Sequence, residues 1–313
     1  MTESPIDVLV IGRSCRDTIA VVDRFPPENT KVPLSSKMVE GGGQGSTAAC
    51  CIARLGGRVA YIGVLGDDPA GEFCRRRLED FGVQTDFVRT VPGGRTPEAF
   101  VIITRPSGNR TIVYEKNELP RLTADDIPAS LPQRAKTVLL DPETTYLARF
   151  FRDLADPPTM VYDAERWRPG IEEMMAVADH FIPTADLLDA PELGALLNIS
   201  SSDFVDRLIA LDRAVAGQLV VTRGEEGAYF VEAGRVFQVR PPEVTIRDTV
   251  GAGDNFHAAY ALGISRGMAL SDAVRFAVAV ATLSCRDYGG RNGIPGWEEA
   301  IDHAEALTIG QID

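Results

Sequence analysis

The 313-residue sequence is poor in cysteine, histidine and tryptophan, with 5, 3 and 2 respectively, and its 32 Lys and Arg are outnumbered by 45 Asp and Glu. Each shortage excludes something. The spacings among Cys15, Cys50, Cys51, Cys74 and Cys285 fit no zinc knuckle, and a reduced cytoplasm is the simplest setting for them. The formal net charge of −13, an acidic excess spread over the whole length, argues against a surface that tracks nucleic acid or an anionic membrane. Any bound anion must be held locally. No apolar run approaches the roughly 18 residues that suggest a membrane span. The polar lead from Met1 to Pro5 has no basic n-region or cleavage site, so neither secretion nor membrane spanning is expected. With 44% hydrophobic and 25% charged residues, the chain has the composition of a globular protein; at this length folding buries about three quarters of the unfolded surface.

Strand and helix patterns alternate along the chain. Val8 to Ile11 reads as a buried strand ending at Gly12, and Gln44 to Leu55 as a helix bracketed by Gly41-Gly42-Gly43 and Gly56-Gly57. Val59 to Val64 is a second strand. Asp67-Asp68-Pro69 then supplies an N-cap and a first-turn proline for a helix reaching Phe81. Two stretches, at about 13–40 and 95–118, leave this alternation; the second contains strands Ala99 to Thr104 and Thr111 to Tyr114 around a hairpin turn. Alternation resumes at Val138 and continues to Val221, followed by a ribbon from Ala228 to Val239 and helices Gly253 to Ser265 and Asp272 to Cys285. Such a pattern predicts an α/β fold with a parallel sheet covered by helices on both faces. No linker or repeat interrupts residues 1–313, which read as one domain carrying a small β lid.

Two glycine-rich helix starts carry the chemistry. In Asp248-Thr249-Val250-Gly251-Ala252-Gly253-Asp254, the glycines let backbone N–H groups point outward at the positive end of a helix dipole, which makes an anion hole. Asp254 falls in the first turn, where a carboxylate can face both a phosphoryl group and an incoming hydroxyl. Read alone, the same residues also suit a tight turn with a charge favourable to the dipole. Gly41 to Gly43, followed by Gln44, Gly45, Ser46 and Thr47, permits close approach by a polyhydroxylated ligand or tight packing on the sheet. No lysine precedes Ser46 or Thr47 as a P-loop requires, and the first strand lacks the Gly-x-Gly-x-x-Gly fingerprint of dinucleotide enzymes. His257 follows Asp254 on the helix and reads as a packed, hydrogen-bonded residue rather than a second base.

These two stretches, in this order, resemble the signatures of the ribokinase-like (PfkB) sugar kinases. The resemblance extends to Gly63 to Asp68 and to Val220 to Gly227. Asp23-Arg24-Phe25-Pro26 through Lys31, together with Asn109 to Tyr114, is similar to the ketohexokinase and sulfofructose-kinase-like branches, and Gly289 to Pro295 to the latter. The resemblance implies a three-layer sandwich with a β lid and ATP-dependent phosphorylation of a small carbohydrate, ketohexose-like. It makes Asp254 the base and Gly251, Ala252 and Gly253 the anion hole. It places Asp17, Gly42, Gly43 and Thr47 at the sugar, and Lys31 and Arg110 as lid cations. Thr222, Gly224, Gly227 and Asn255 fall along the nucleotide. Mg²⁺ accompanies ATP, and Asp248 with the Val250 backbone matches positions that hold a monovalent cation such as K⁺ in some members. A homodimer through the lid is a further implication.

The sequence departs from that family's pattern at three places. Thr47 stands where asparagine is usual, which removes an amide from the sugar pocket. Pro183-Thr184-Ala185-Asp186-Leu187 replaces an Asn-x-x-Glu motif that organises Mg²⁺ water ligands, so either Asp186 substitutes for it or the metal rests mainly on ATP and water. Glu143 follows the strand at Val138, where an anion-binding branch places a cation, and so weighs against a sulfonated or phosphorylated sugar. Kinases for a nucleoside, a keto-deoxy acid or a sugar phosphate, and a non-catalytic sensor, are the competing readings.

Overall fold

The computed structural model describes residues 5–312, so the polar lead before Pro5 and Asp313 lie outside it. β1 (Ile6–Ile11) is buried along its whole length. Its side chains alternate between two faces, with Val8 and Val10 in one hydrophobic cluster and Leu9 and Ile11 in another. The chain then leaves the sheet for β2 (Cys15–Val22) and β3 (Ser36–Gly42), and returns through α1 (Gln44–Arg54) to β4 (Val59–Ile62). β5 (Val64–Gly66) and β6 (Arg89–Val91) form a short parallel pair around α2 (Pro69–Asp80). That helix starts as its sequence predicts: the Asp68 carboxylate accepts from the Gly71 N–H at 2.8 Å. The second departure supplies β7 (Glu98–Thr104) and β8 (Asn109–Tyr114).

From β9 (Ala135–Leu140) onward the order is α3 (Ala148–Arg152), β10 (Thr159–Glu165), α4 (Ile171–Val177), β11 (His180–Pro183), α5 (Ala185–Leu188), α6 (Pro191–Leu197), α7 (Phe204–Asp212) and β12 (Gln218–Thr222). The ribbon β13 (Ala228–Glu232) and β14 (Arg235–Val239) precedes α8 (Ala252–Ser265), α9 (Leu270–Ser284), α10 (Trp297–Ala306) and the edge strand β15 (Ile309–Ile312). The main sheet runs β15-β14-β13-β12-β11-β10-β9-β1-β4, parallel from β12 to β4 and antiparallel at the other end. One face packs on α1, α2, α8, α9 and α10 and the other on α3 to α7, which is the three-layer sandwich the sequence implies. β15 is an addition that the sequence reading lacks. It is short and exposed, so no buried apolar run announces it.

The two departures pair with each other in a separate sheet of order β3-β2-β7-β8. On one face Ile19, Val21, Val101 and Ile103 form a buried cluster against Met38, Val250 and Tyr288. That contact seats the small sheet over the segment leading into α8. No helix among the described residues is long and apolar enough to cross a membrane.

Candidate active site

The site is built where the parallel strands end. Leu139 on β9 and Val161 on β10 face α8, and two residues further on the same columns present Asp141 and Asp163, both buried. Gly12 makes room for this, since a Cβ there would lie 2.3 Å from Asp141 Oδ2. Asp141, Asp163, Gln44 and Gly45 line a small cavity with Asp254 and His257 beneath the start of α8.

α8 begins at Gly251, whose φ of +71° is left-handed and whose Cβ would lie 2.8 Å from Gly290 Cα. Of its first-turn N–H groups, Ala252 N–H makes a long bond to Thr249 O at 3.4 Å, and the first regular helical bond runs from Asn255 N–H to Gly251 O at 2.9 Å. A Cβ added at Gly253 would meet nothing within 4 Å, so this turn is open where an anion would approach. Asp254 sits in that turn. Burial pushes its pKa up to about 7, the neighbouring Asp163 and Glu165 add to the rise, and His257 and Arg110 oppose it. His257 is 3% exposed, with Nδ1 2.7 Å from Gly253 O and Nε2 3.1 Å from Ile182 O, the packed role read from its position.

Of the residues expected at a sugar, Asp17 is buried and accepts from the Cys15 thiol at 3.1 Å. Its carboxylate lies so close to Gly42 that a Cβ there would come within 2.0 Å of Oδ2. Gly43, at φ +94°, caps α1 and abuts the Arg13 carbonyl. Thr47 is buried and accepts from Arg291 Nε at 3.4 Å. Asp17, Gly42, Gly43 and Thr47 therefore converge, and Thr47 Cγ2 would lie 3.3 Å from a Cβ on Gly251, which joins this cluster to the anion hole.

Of the two lid cations, Arg110 donates to Thr249 Oγ1 at 3.0 Å and so reaches the rim of the hole. Lys31 is exposed in the loop between β2 and β3, and no hydrogen bond or ion pair joins it to the site among the described residues. Of the residues expected along the nucleotide, Thr222 ends β12 and Gly224 is open, with no atom within 4 Å of a Cβ. At Gly227 a Cβ would lie 2.0 Å from the Val239 carbonyl, and its φ of +88° turns the chain from β12 into β13. Asn255 is fully buried and donates to Gly290 O at 2.9 Å, so its amide braces the 289–290 loop.

Asp248 is also occupied by the backbone: Oδ1 accepts from Val250 N–H at 2.9 Å and Oδ2 from Gly289 N–H at 2.8 Å. Among the described residues no group of three His, Cys, Asp or Glu side chains is placed to hold a metal ion. Asp186 is exposed in the first turn of α5, on the same edge as Glu165, and both carboxylates act on Arg166. Glu143 has its own cations, with Arg168 Nη1 at 2.7 Å and Arg13 Nη1 at 3.9 Å, so its charge is compensated within the protein.

Sequence reasoning missed Asp141, Asp163, Arg168 and Arg291. Asp163 carried a legible signal, a carboxylate directly after the apolar Met160 to Tyr162 run. Arg291 stood inside the Gly289 to Pro295 stretch without an assigned task.

A glycine-started helix with an open N-terminus, a half-buried carboxylate in its first turn and a small sheet above it define a group-transfer enzyme of the α/β class, suited to phosphoryl transfer. The chain belongs to the pfkB family of carbohydrate kinases, whose family profile matches residues 5–297. It is 28% identical over 296 residues to a ribokinase from Bacillus subtilis (strain 168), covering 92% of this chain and 96% of that one. It is 25% identical over 320 residues to a 5-dehydro-2-deoxygluconokinase from Listeria innocua, covering 95% of each. The crystal structure of a putative ribokinase from Agrobacterium tumefaciens superposes with a TM-score of 0.80 at 28% identity, over 97% of this chain and 98% of that one. The protein is accordingly a carbohydrate kinase that transfers phosphate to a hydroxyl.

Proposed function

We propose that the protein transfers the γ-phosphoryl group of ATP to a hydroxymethyl group of a small sugar, with Asp254 as the base. The observation that carries this reading is the open first turn of α8 with Asp254 inside it, held at a pKa of about 7. A carboxylate near neutrality can take the hydroxyl proton as the oxygen attacks in line. The first-turn N–H groups at Gly251 to Gly253 stabilise the charge that develops on the transferred group, and Arg110 adds a cation from the lid. Asp17, Gly42, Gly43 and Thr47 orient the sugar, while Thr222 and Gly224 flank the nucleotide. The small sheet acts as the lid, excluding water so that ATP is not hydrolysed.

Mg²⁺ suits this donor set as an ion that keeps nucleotide oxygens and water as its inner ligands, and the exposed Asp186 is the carboxylate that would hold it through water. When bound it neutralises the β and γ oxygens. A monovalent cation would share Asp248 and the Val250 carbonyl, and comparing rates in K⁺ and tetramethylammonium salts tests for it. The motif resemblance favours a ketohexose-like acceptor, and similarity to proteins named ribokinase and 5-dehydro-2-deoxygluconokinase supports ribose and 5-dehydro-2-deoxygluconate as alternatives. A panel of these sugars with MgATP ranks them. Asp254→Asn should lower kcat by about 10²- to 10⁴-fold with little change in ATP binding; a rate near that of the unaltered protein refutes the assignment. A second copy of the chain is the proposed partner of the lid's outer face.

A further inference from the structure

Arg291 is 2% exposed, yet no carboxylate lies within ion-pair distance of it among the described residues. Nη2 donates to Ser46 Oγ at 2.8 Å and to Gly42 O at 3.3 Å, and Nε donates to Thr47 Oγ1 at 3.4 Å. Nη1 is buried without a partner and faces Gly41, where a Cβ would lie 2.4 Å from it. A buried guanidinium without a contacting counter-ion is costly, so what it faces needs an explanation. Two carboxylates share its surroundings, Asp17, on which Arg291 acts electrostatically, and Glu40. Glu40 is already taken by Arg77, through Nε at 2.9 Å and Nη2 at 3.0 Å. Among the described residues, Asp17 has only the Cys15 thiol as a hydrogen-bond donor.

We propose that Arg291 is a positioning residue for the acceptor sugar: from beneath the pocket it fixes the Gly42 carbonyl and the Ser46 and Thr47 hydroxyls, and it is the counter-charge that keeps Asp17 a carboxylate able to accept from a sugar hydroxyl. The proposal rests on the kinase reading above, and in particular on Asp17 facing the sugar. The charged and titratable groups around Asp17 are Cys15 on its own strand, Glu40 from β3, Cys74 from α2 and Arg291 from the loop after α9. Burial and Glu40 push the Asp17 pKa up, whereas the Cys15 thiol and Arg291 pull it down. The loop that carries Arg291 also reaches the phosphoryl side, since Gly289 N–H binds Asp248 and Gly290 O accepts from Asn255. The guanidinium itself touches only the sugar side.

The test measures kcat and both KM values from about pH 5 to pH 9, with melting temperatures, for Arg291→Met, Arg291→Lys and Asp17→Asn. Arg291→Met should raise the acceptor KM by about 10- to 100-fold at pH 7 and leave the ATP KM within about twofold. Without the cation, Asp17 takes up its proton at higher pH, so the acidic limb of acceptor binding moves up in pH. Arg291→Lys keeps the charge and should hold the limb in place while KM rises less. Asp17→Asn should lose acceptor affinity and the limb together. Normal acceptor binding in Asp17→Asn overturns the sugar-site reading and this proposal with it. A defective Asp17→Asn beside an Arg291→Met with unchanged acceptor KM and limb overturns the proposal alone. If Arg291→Met melts below assay temperature, the lysine variant decides, because a shifted limb despite the retained charge refutes the counter-charge role.

Discussion

The guanidinium of Arg110 lies 3.0 Å from the Thr249 hydroxyl, joining the outer strand of the small sheet to the segment that leads into α8. Thr249 in turn lies 3.5 Å from the Gly108 carbonyl at the hairpin tip. The small sheet therefore meets the segment leading into α8 through an exposed cation and a hydroxyl beside its apolar contact with Val250. Arg110→Ala should lower kcat/KM for ATP by about 10- to 100-fold, the worth of a charge-assisted hydrogen bond to phosphate. Because Arg110 is exposed, the melting temperature should stay within the shift of about 0.5 kcal/mol typical of a surface change. Steady-state kinetics with ATP varied checks this, and an unchanged kcat/KM removes Arg110 from the mechanism.

Asp254 titrating near 7 fixes the shape of the pH profile. Below that pH the base is protonated and idle, so kcat/KM for the acceptor should rise about tenfold per pH unit and level off above pH 7. Asp163 is the largest charged contributor to that high value. Asp163→Asn removes the repulsion and should move the limb to lower pH; a limb that stays put dissociates the two carboxylates. Stability follows the opposite course. The folded pKa lies above the ordinary 3.8, so the contribution of Asp254 is fully present below about pH 4 and is lost as pH rises to about 7. Asp254→Asn should therefore melt higher than the unaltered protein at pH 8, and by less at pH 5.

The layers were legible because burial on both faces writes continuous apolar runs such as Val8 to Ile11, and helices between them carry their own caps, as at Asp68-Pro69. The two departures were legible as interruptions of that alternation. Which atoms meet across the site was not. Asp163 and Asp254 are far apart in the chain and become neighbours only when β10 and α8 stack, and the same holds for Arg291 and Thr47. Glycines were the most ambiguous letters. Gly224 and Gly227 read alike in sequence, yet one is open and the other is required by the Val239 carbonyl.

That ambiguity yields a paired prediction at the anion hole. Gly251 has a left-handed backbone and Gly290 packed against it, so Gly251→Ala should destabilise the protein by about 1 to 3 kcal/mol and lower activity as the loop shifts. Gly253 lies inside the first turn of α8 with open space before it. Gly253→Ala should keep or raise the melting temperature, alanine favouring a helix by about 1 kcal/mol over glycine. It should still cost activity, because the added methyl occupies the space where the phosphoryl group is stabilised. Thermal denaturation alongside kcat separates the two, and an active, stable Gly253→Ala means the anion does not approach there.

The outer face of the lid supplies the last prediction. Val39, Thr18, Phe100 and Val113 stand in register across all four strands, and Phe100 and Val113 are each 61% exposed. β8, at the edge of this sheet, is exposed throughout. A row of exposed apolar side chains interrupted only by Thr18, beside an open edge, is what proteins cover or blunt with charge, and here Arg16 and Glu98 form an ion pair with each other at one end. A two-fold contact would cover the row with its own copy, and the symmetry places any substitution in the interface twice. Sedimentation at micromolar concentration should then show a dimer for the unaltered chain and a monomer for Phe100→Asp, with the melting temperature of Phe100→Asp independent of protein concentration. A monomeric unaltered chain, or a Phe100→Asp that stays dimeric, places the contact elsewhere or nowhere.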